Sequence, residues 1–484
     1  MSTRQKAAPS PDLGLVARQG VVWQALAFGA AKLSLLVSTV VLARVLGPDD
    51  YGFVALAAVL VLSVTVVADL GASQALVYLP RSPRRLGAAV VIGLAGSSLL
   101  ALVWVVVSPL VATKLGHADW GAMVATLAAV IVLTSLGMAP DAILRKDLRF
   151  SRRLPAELAR GLTRGGVAIG LVLAGVGPWS LVWGEVSGAA AFALMSWVMA
   201  APELGPARGW FDRSEQRALL SFGLPAALNG ALATAVLNVD YVIIGAALGT
   251  TAVAIYLVGF RIPEMLVLSV FQVFSQVTFP IYSRVQSDLP RLSRGYLLSL
   301  RVQSLYGLTV GATIAVLSPV LVPALFGEQY AGAVPVMQAI SAYVVFRSLT
   351  AGAVDLFKAV GRPQYGVLLG VARLVVLVPV LMLATRGGVT AVAFAQAVAA
   401  LVFAIVMQRV ACHLLGVPWA DLARALSVPV VAAAAAALTA AVAARAFGAL
   451  SEVAVLALAG CLAALVALGV LALLDKALLK RLMS

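Results

Sequence analysis

Charge is scarce in this chain. Only 11% of the 484 residues are Asp, Glu, Lys or Arg, 62% are hydrophobic, and the mean hydropathy is +1.03. A water-soluble chain of average usage is about a quarter charged, so polar side chains are too few to cover a water-facing surface. The composition predicts a polytopic membrane protein.

Other materials for chemistry are nearly missing. Cys412 and Cys461 are the only cysteines, both in or beside apolar segments, which argues against a disulfide framework or cysteine metal site. His117 and His413 are the only histidines. There is no Gly-rich phosphate loop ending in Lys-Ser or Lys-Thr, no G-x-S-x-G elbow and no zinc-helix motif. No metal or cofactor is expected. The opening "MSTRQKAAPSPDLGLVARQG" lacks a signal peptide's apolar core and cleavage site, so the first apolar segment is expected to stay as a membrane helix.

What is present is a series of long apolar runs. Spanning about 30 Å of hydrocarbon takes about 20 residues, and on that rule the chain divides into about 14 spans. They fall near 21–45, 51–78, 87–108, 120–140, 154–175, 179–200, 219–246, 252–281, 296–317, 334–357, 364–384, 388–408, 425–445 and 453–474. Pro, Gly or charge clusters punctuate the joins.

The net charge of +15 lies in short clusters between these runs, which speaks for membrane orientation and not for nucleic acid. Alternate loops and the two tails hold 25 Lys and Arg residues, including Arg81, Arg84, Arg85, Arg145, Arg149, Arg153, Arg291 and Arg294. The opposite loops hold three: Lys114, Arg386 and Arg445. Both termini are therefore expected in the cytoplasm.

The chain also repeats itself. "LGPDDYGF" (46–53) follows the first span and "LGTTAVAI" (248–255) the seventh, with Gly47 matching Gly249. "SPLVATKLG" (108–116) resembles "SPVLVPALFG" (318–327), and "AGVGPWSLV" (174–182) resembles "ATRGGVTAV" (384–392). The expected organisation is a cytoplasmic tail (1–20), an N-lobe of helices 1–6 (21–205), a C-lobe of helices 7–12 (206–412), and two last helices with a tail (413–484). Six spans per repeat is an even number, so the two lobes share one orientation, as in transporters built from parallel repeats.

Ionisable residues inside spans are expensive and are functional candidates by default. Lys32, Arg164, Arg261, Arg347 and Arg373 fall near mid-span, with Arg160 one turn before Arg164. The acidic candidates are fewer: Asp69, Asp240, Asp355, Glu157, Glu185 and Glu264. Pairs at i,i+3, Glu157–Arg160 and Arg261–Glu264, offer a purely structural account. For the other cations the structural account is a partner on another helix. The interior is nonetheless net basic, and a basic, water-filled cavity between lobes suits an anion such as a pyrophosphate, for which Arg is well shaped. Cationic drugs select an acidic cavity instead.

Asp49 and Asp50, in the first external loop, admit a catalytic reading, because some membrane glycosyltransferases place acids there. Against it, every external loop is short and no second acidic cluster faces the same side. The simpler reading is a turn, with Pro48 ending the first helix and a carboxylate capping the second.

"LARVLGPDDYGFVALA" (42–57) with "ADLGASQALV" (68–77) resembles the opening hairpin of Wzx-type polysaccharide flippases. These belong to the multidrug/oligosaccharidyl-lipid/polysaccharide exporter superfamily. "ILRKDLRFSR" (143–152), "SFGLPAALN" (221–229), "NVDYVIIGAALGTTAVAIY" (238–256), "FPIYSRVQSD" (279–288) and "LFGEQYAGAVPVMQ" (325–338) fit in order. The resemblance implies an all-α membrane protein of two six-helix lobes plus two helices, and not an enzyme. It implies alternating access around a cationic cavity that moves a polyprenyl-pyrophosphate-linked oligosaccharide. The binding set assigned to this sequence is Lys32, Arg160, Arg164, Arg261, Arg347 and Arg373; Asp240, Asp69 and Glu185 are assigned to gating or ion coupling. Expected partners are the lipid-linked substrate, membrane lipid, and the glycosyltransferases and polymerase of the same glycan pathway. The rival readings are a membrane glycosyltransferase or ligase, a cation-coupled drug exporter and a lipid II flippase.

Overall fold

The computed structural model describes residues 33–475 and residue 29, without 148, 204–209, 363 and 449. Lys32 and the two tails lie outside the described residues. Among those described the chain is helical, with no strand.

The helices run α1 (Leu33–Val45), α2 (Pro48–Ala68), α3 (Ala72–Tyr78), α4 (Pro83–Lys114), α5 (Gly121–Thr126), α6 (Ala128–Lys146), α7 (Phe150–Leu173) and α8 (Trp179–Ala200). They continue as α9 (Arg213–Leu248), α10 (Thr250–Pro263), α11 (Ser269–Arg284), α12 (Leu289–Phe326) and α13 (Ala333–Ser348). The last five are α14 (Ala351–Ala359), α15 (Gln364–Ala384), α16 (Gly388–Leu415), α17 (Trp419–Ala446) and α18 (Glu452–Leu474).

Eleven stretches among the described residues are long and apolar enough to cross a membrane. The difference from the expected count has local causes. The first expected span is described only from Leu33. Gln364–Leu415 registers as one run although α15 and α16 divide it. Helix α7 is not among the eleven, since Arg152, Arg153, Glu157, Arg160 and Arg164 lower its hydropathy.

Ends are set by local chemistry. At α4 the Ser82 hydroxyl accepts from the Arg84 amide at 3.3 Å and Pro83 occupies the first turn, where its missing N–H costs nothing. Asp288 does the same at α12, accepting from the Arg291 amide at 3.0 Å. Gly416, left-handed at φ +63°, stops α16.

The chain divides into two compact units. Unit 1 takes the residues up to Leu46 and Ala57–Asn238; unit 2 takes Gly47–Leu56 and Val239–Ser484.

In unit 1, loops far apart in sequence meet through ion pairs. Arg81 reaches Asp147 at 3.1 Å, Arg85 reaches Glu215 at 2.7 Å, and Arg152 reaches Glu203 at 3.2 Å. Asp141 takes Arg145 at 3.0 Å and Arg153 at 2.6 Å. The basic loops before α4, α7 and α9 therefore share one end of the unit, as the alternation of Lys and Arg requires.

In unit 2, the turns that match in sequence lie against each other. The Asp49 carboxylate accepts from the Thr250 hydroxyl, and from Thr251 at 3.3 Å. A Cβ on Gly52 would stand 2.0 Å from the Thr250 carbonyl oxygen, so only glycine permits this approach. Asp49 thus joins its own turn to the start of α10. Asp49 and Gly52 both serve the junction with α10. At the C-terminal end, Ala432, Ala436, Ala440 and Ala443 of α17 pack with Ala459, Ala463 and Ala467 of α18. Small residues at one-turn spacing let membrane helices approach closely.

Candidate functional site

In unit 1 the cationic candidates sit on α7, and their geometry is set by glycines on α8. A Cβ at Gly184 would meet the Arg164 carbonyl oxygen at 2.9 Å, and one at Gly188 would meet Arg164 Cβ at 2.8 Å and the Arg160 carbonyl oxygen at 3.0 Å. This small-x-x-x-small face draws the backbones together. Buried Glu185 between the glycines thereby forms an ion pair with Arg164. Arg160 lies over the Phe192 ring, 5.4 Å from its centroid. The i,i+3 pairing of Glu157 with Arg160 does not form; Glu157 turns instead to Arg153 at 3.4 Å.

Asp69 is spent on backbone. Its two oxygens accept from the Gly71 amide at 3.0 Å and the Ser73 amide at 2.9 Å, holding the break between α2 and α3. At that break Leu70 and Gly71 have φ +49° and +74°, and a Cβ on Gly71 would lie 1.9 Å from the Gly223 carbonyl oxygen.

Unit 2 holds the other candidates. Arg261 pairs with Glu264 at 3.4 Å, as the i,i+3 spacing predicts. The pair stands where α10 gives way to the π-helical turn Glu264–Leu268, whose Leu266 carbonyl oxygen accepts from the Tyr306 hydroxyl at 2.5 Å. Such turns recur at functional sites.

Arg373 on α15 lies over the Tyr343 ring at 5.9 Å and donates to its hydroxyl at 3.5 Å. Arg347, one turn after Tyr343 on α13, feels the like charge of Arg373. Among the described residues no carboxylate lies within 4.0 Å of either guanidinium. These two form an uncompensated cationic pair within the helices of unit 2.

Asp240 is buried among neutral donors. Its Oδ2 accepts from the Tyr256 hydroxyl at 2.8 Å and the Gln396 amide at 3.0 Å; its Oδ1 accepts from the Tyr241 amide at 3.0 Å. An aromatic row runs from here to the arginines: Tyr256 to Phe260 at 5.9 Å, then Phe260 to Tyr343 at 5.9 Å between centroids. No described group of three or more His, Cys, Asp or Glu is placed to hold a metal ion.

Sequence reasoning missed Tyr343, Tyr256, Gln396 and Phe192. Only Tyr343 left a signal, standing at i−4 from Arg347 and so on its face.

Residues 41–335 match the family model described as "Polysaccharide biosynthesis protein". The chain belongs to the polysaccharide biosynthesis protein family. The teichuronic acid biosynthesis protein TuaB of Bacillus subtilis (strain 168) is 23% identical over 273 residues, 55% of this chain and 56% of that protein. This chain thus spans little more than half the length of that relative.

The fold is shared with transporters. A lipid II flippase MurJ in an inward closed conformation superposes with a TM-score of 0.73 at 13% identity, over 94% of this chain and 99% of MurJ. An inward-facing multidrug resistance MATE transporter of the MOP superfamily gives 0.60 at 18% identity, over 80% of this chain and 94% of the other. The resemblance first read from the hairpin strings agrees with the family, and the all-α fold is the one these structures share. This family member is an all-α, multi-pass membrane protein.

Proposed function

We propose that this chain is a flippase. It moves a polyprenyl-pyrophosphate-linked oligosaccharide from the cytoplasmic to the outer leaflet of the bacterial cytoplasmic membrane, by alternating access around a cationic cavity. Membership of a polysaccharide biosynthesis family and a fold shared with a flippase support this reading.

The observation that carries it is the Arg347–Tyr343–Arg373 cluster. Two like charges in membrane-spanning stretches, without a carboxylate in reach among the described residues, are costly on their own. They are relieved by an anion with several acceptor oxygens, which guanidinium forks bind well. A cationic drug would meet repulsion there.

Arg164 and Arg261 hold their places by exchange, trading Glu185 and Glu264 for the pyrophosphate. Arg160 and Lys32 complete the binding set. Asp240 takes the coupling role: its shell of neutral donors leaves the charge to be met by a proton or Na⁺. Glu185, freed from Arg164, and Asp69, at the α2–α3 break, serve gating. Only contacts that differ between two states shift their balance, and the exchange of Glu185 for substrate is such a difference. The lobes are residues 21–205 and 206–412, followed by the helices of 413–484, with both termini cytoplasmic. The glycosyltransferases and polymerase of the glycan pathway act before and after the flippase.

The test is passage of a fluorescent polyprenyl-pyrophosphate oligosaccharide across liposomes holding the purified protein. Arg347→Gln with Arg373→Gln is expected to abolish passage without loss of folded protein. Undiminished passage in that double variant would remove the cluster from the site. Passage of cationic dyes, but not of the lipid-linked glycan, would move the reading to a drug exporter.

A further inference from the structure

The basic ends of the two units are built differently. In unit 1, Arg81, Arg84, Arg85, Arg145, Arg149, Arg152 and Arg153 each meet a carboxylate of Asp141, Asp147, Glu203, Asp212 or Glu215. Among the described arginines of this end, Arg213 and Arg217, at the start of α9, stand outside that lattice.

Among the described residues the basic end of unit 2 has no such lattice. Arg284 closes α11, Arg291 and Arg294 open α12, Arg362 precedes α15, and Arg409 lies in the last two turns of α16. All five are exposed, and among the described residues none has a carboxylate within 4.0 Å. The nearby acids are engaged elsewhere. Asp288 caps α12, Asp421 holds Arg424 at 3.1 Å, and buried Asp355 accepts from Ser275 and Thr278 at 2.7–2.8 Å.

The five arginines ring a single apolar cluster. Tyr282, Leu292, Phe357, Ala411 and Leu415, each within a few residues of one of them, pack together, and the Ser293 hydroxyl reaches the Leu415 carbonyl oxygen at 3.3 Å. The helix ends, and so their arginines, are brought to one face.

We propose that this face binds the phosphate-bearing headgroups of anionic phospholipids. The inference rests on the proposed orientation, which turns the face to the cytoplasmic leaflet. Depth favours a lipid over a soluble acidic partner. Arg409 stands six residues before the end of α16, roughly 9 Å down the helix at 1.5 Å per residue, and Arg294 is similarly set into α12. That is headgroup depth, where long basic side chains reach for phosphate. Arg409 also lies over the Trp419 ring at 5.7 Å, and tryptophan favours the same interfacial layer.

The experiment is native mass spectrometry of the full chain released from an uncharged detergent, with phosphatidylglycerol or phosphatidylcholine added. The wild-type protein is expected to retain phosphatidylglycerol preferentially. Arg291→Gln, Arg294→Gln and Arg409→Gln combined should lose that preference, by about fivefold per arginine removed. An unchanged melting temperature in detergent shows that the triple variant is folded. Arg81→Gln with Arg149→Gln, in the paired lattice of unit 1, should leave retention unchanged. Equal retention of the two lipids by the wild type overturns the proposal, as does an equal loss in the unit 1 variant. Because lipid retention is read without transport, failure of the flippase reading would leave this result standing.

Discussion

Asp240 shows what a buried carboxylate needs when no described cation lies within ion-pair reach. Its two oxygens are met by a phenol, a carboxamide and a backbone amide, each a neutral donor. Asn at this position keeps an acceptor for Tyr256 and Gln396 but removes the charge and turns an NH2 toward the Tyr241 amide. Asp240→Asn is therefore expected to cost about 1–3 kcal/mol while removing the ion-gradient dependence of the proposed transport. Melting in detergent and passage with and without a pH or Na⁺ gradient check the two halves. Unaltered gradient dependence would free Asp240 from the coupling role. Arg164 and Glu185 make the contrasting case, a pair in which each charge answers the other. Glu185→Ala strands the guanidinium and is expected to cost about 1–3 kcal/mol. Arg164→Gln with Glu185→Gln should cost less than the two single changes summed, the signature of direct coupling. The charges themselves were legible in the sequence, because mid-span Lys and Arg stand out against apolar runs. Their partners were not, since Gln396 is 156 residues from Asp240 and helical spacing reports only neighbours on the same helix.

Helix pairs carry these residues into place, and here glycine decides the distance. On α8, Gly184 and Gly188 let α7 approach until Arg164 meets Glu185. Gly188→Val would press on Arg164 Cβ and on the Arg160 carbonyl oxygen. It is expected to destabilise the protein by about 1–3 kcal/mol through overpacking, and to lower transport beyond what the lost folded fraction explains. Preserved transport per folded molecule would show that the α7–α8 distance is not critical. The start of α9 offers a test in water. Asp212 accepts from the Ser214 hydroxyl at 2.6 Å and from its amide at 3.0 Å, and chiefly the hydroxyl holds its carboxyl below the ordinary 3.8. A lowered folded value means that the cap is complete above the ordinary range and is lost only as pH falls through the lower value. Ser214→Ala should raise the Asp212 titration toward 3.8, read from the side-chain carboxyl ¹³C shift. A titration unmoved by that change would assign the lowering to the backbone amides or to Arg84 instead. Helix positions were largely legible from hydropathy. The break at Asp69–Ser73 was not, because "VVADLGASQALV" is apolar enough to read as a continuous helix and only the positive φ of Leu70 and Gly71 reveals the interruption.

At the scale of the whole molecule, orientation is what the sequence states most clearly, and a chemical label can test it. Long apolar runs determine where helices lie, and the uneven division of Lys and Arg determines which loops stay inside. The meeting of the loops before α4, α7 and α9 in unit 1 puts three of the predicted inner loops together, without saying which side of a membrane they face. Single cysteines supply that direction. With Cys412 and Cys461 changed to Ala, one cysteine is placed by Gln286→Cys, between α11 and α12, and another by Ser451→Cys, between α17 and α18. Both native positions are exposed. An impermeant maleimide is expected to label the position 451 variant in intact cells and the position 286 variant only after permeabilisation. The reverse pattern would invert the protein, and with it the direction of the proposed flipping. It would also turn the unpaired arginines of unit 2 toward the outer leaflet, leaving the proposed phospholipid face without its cytoplasmic partner.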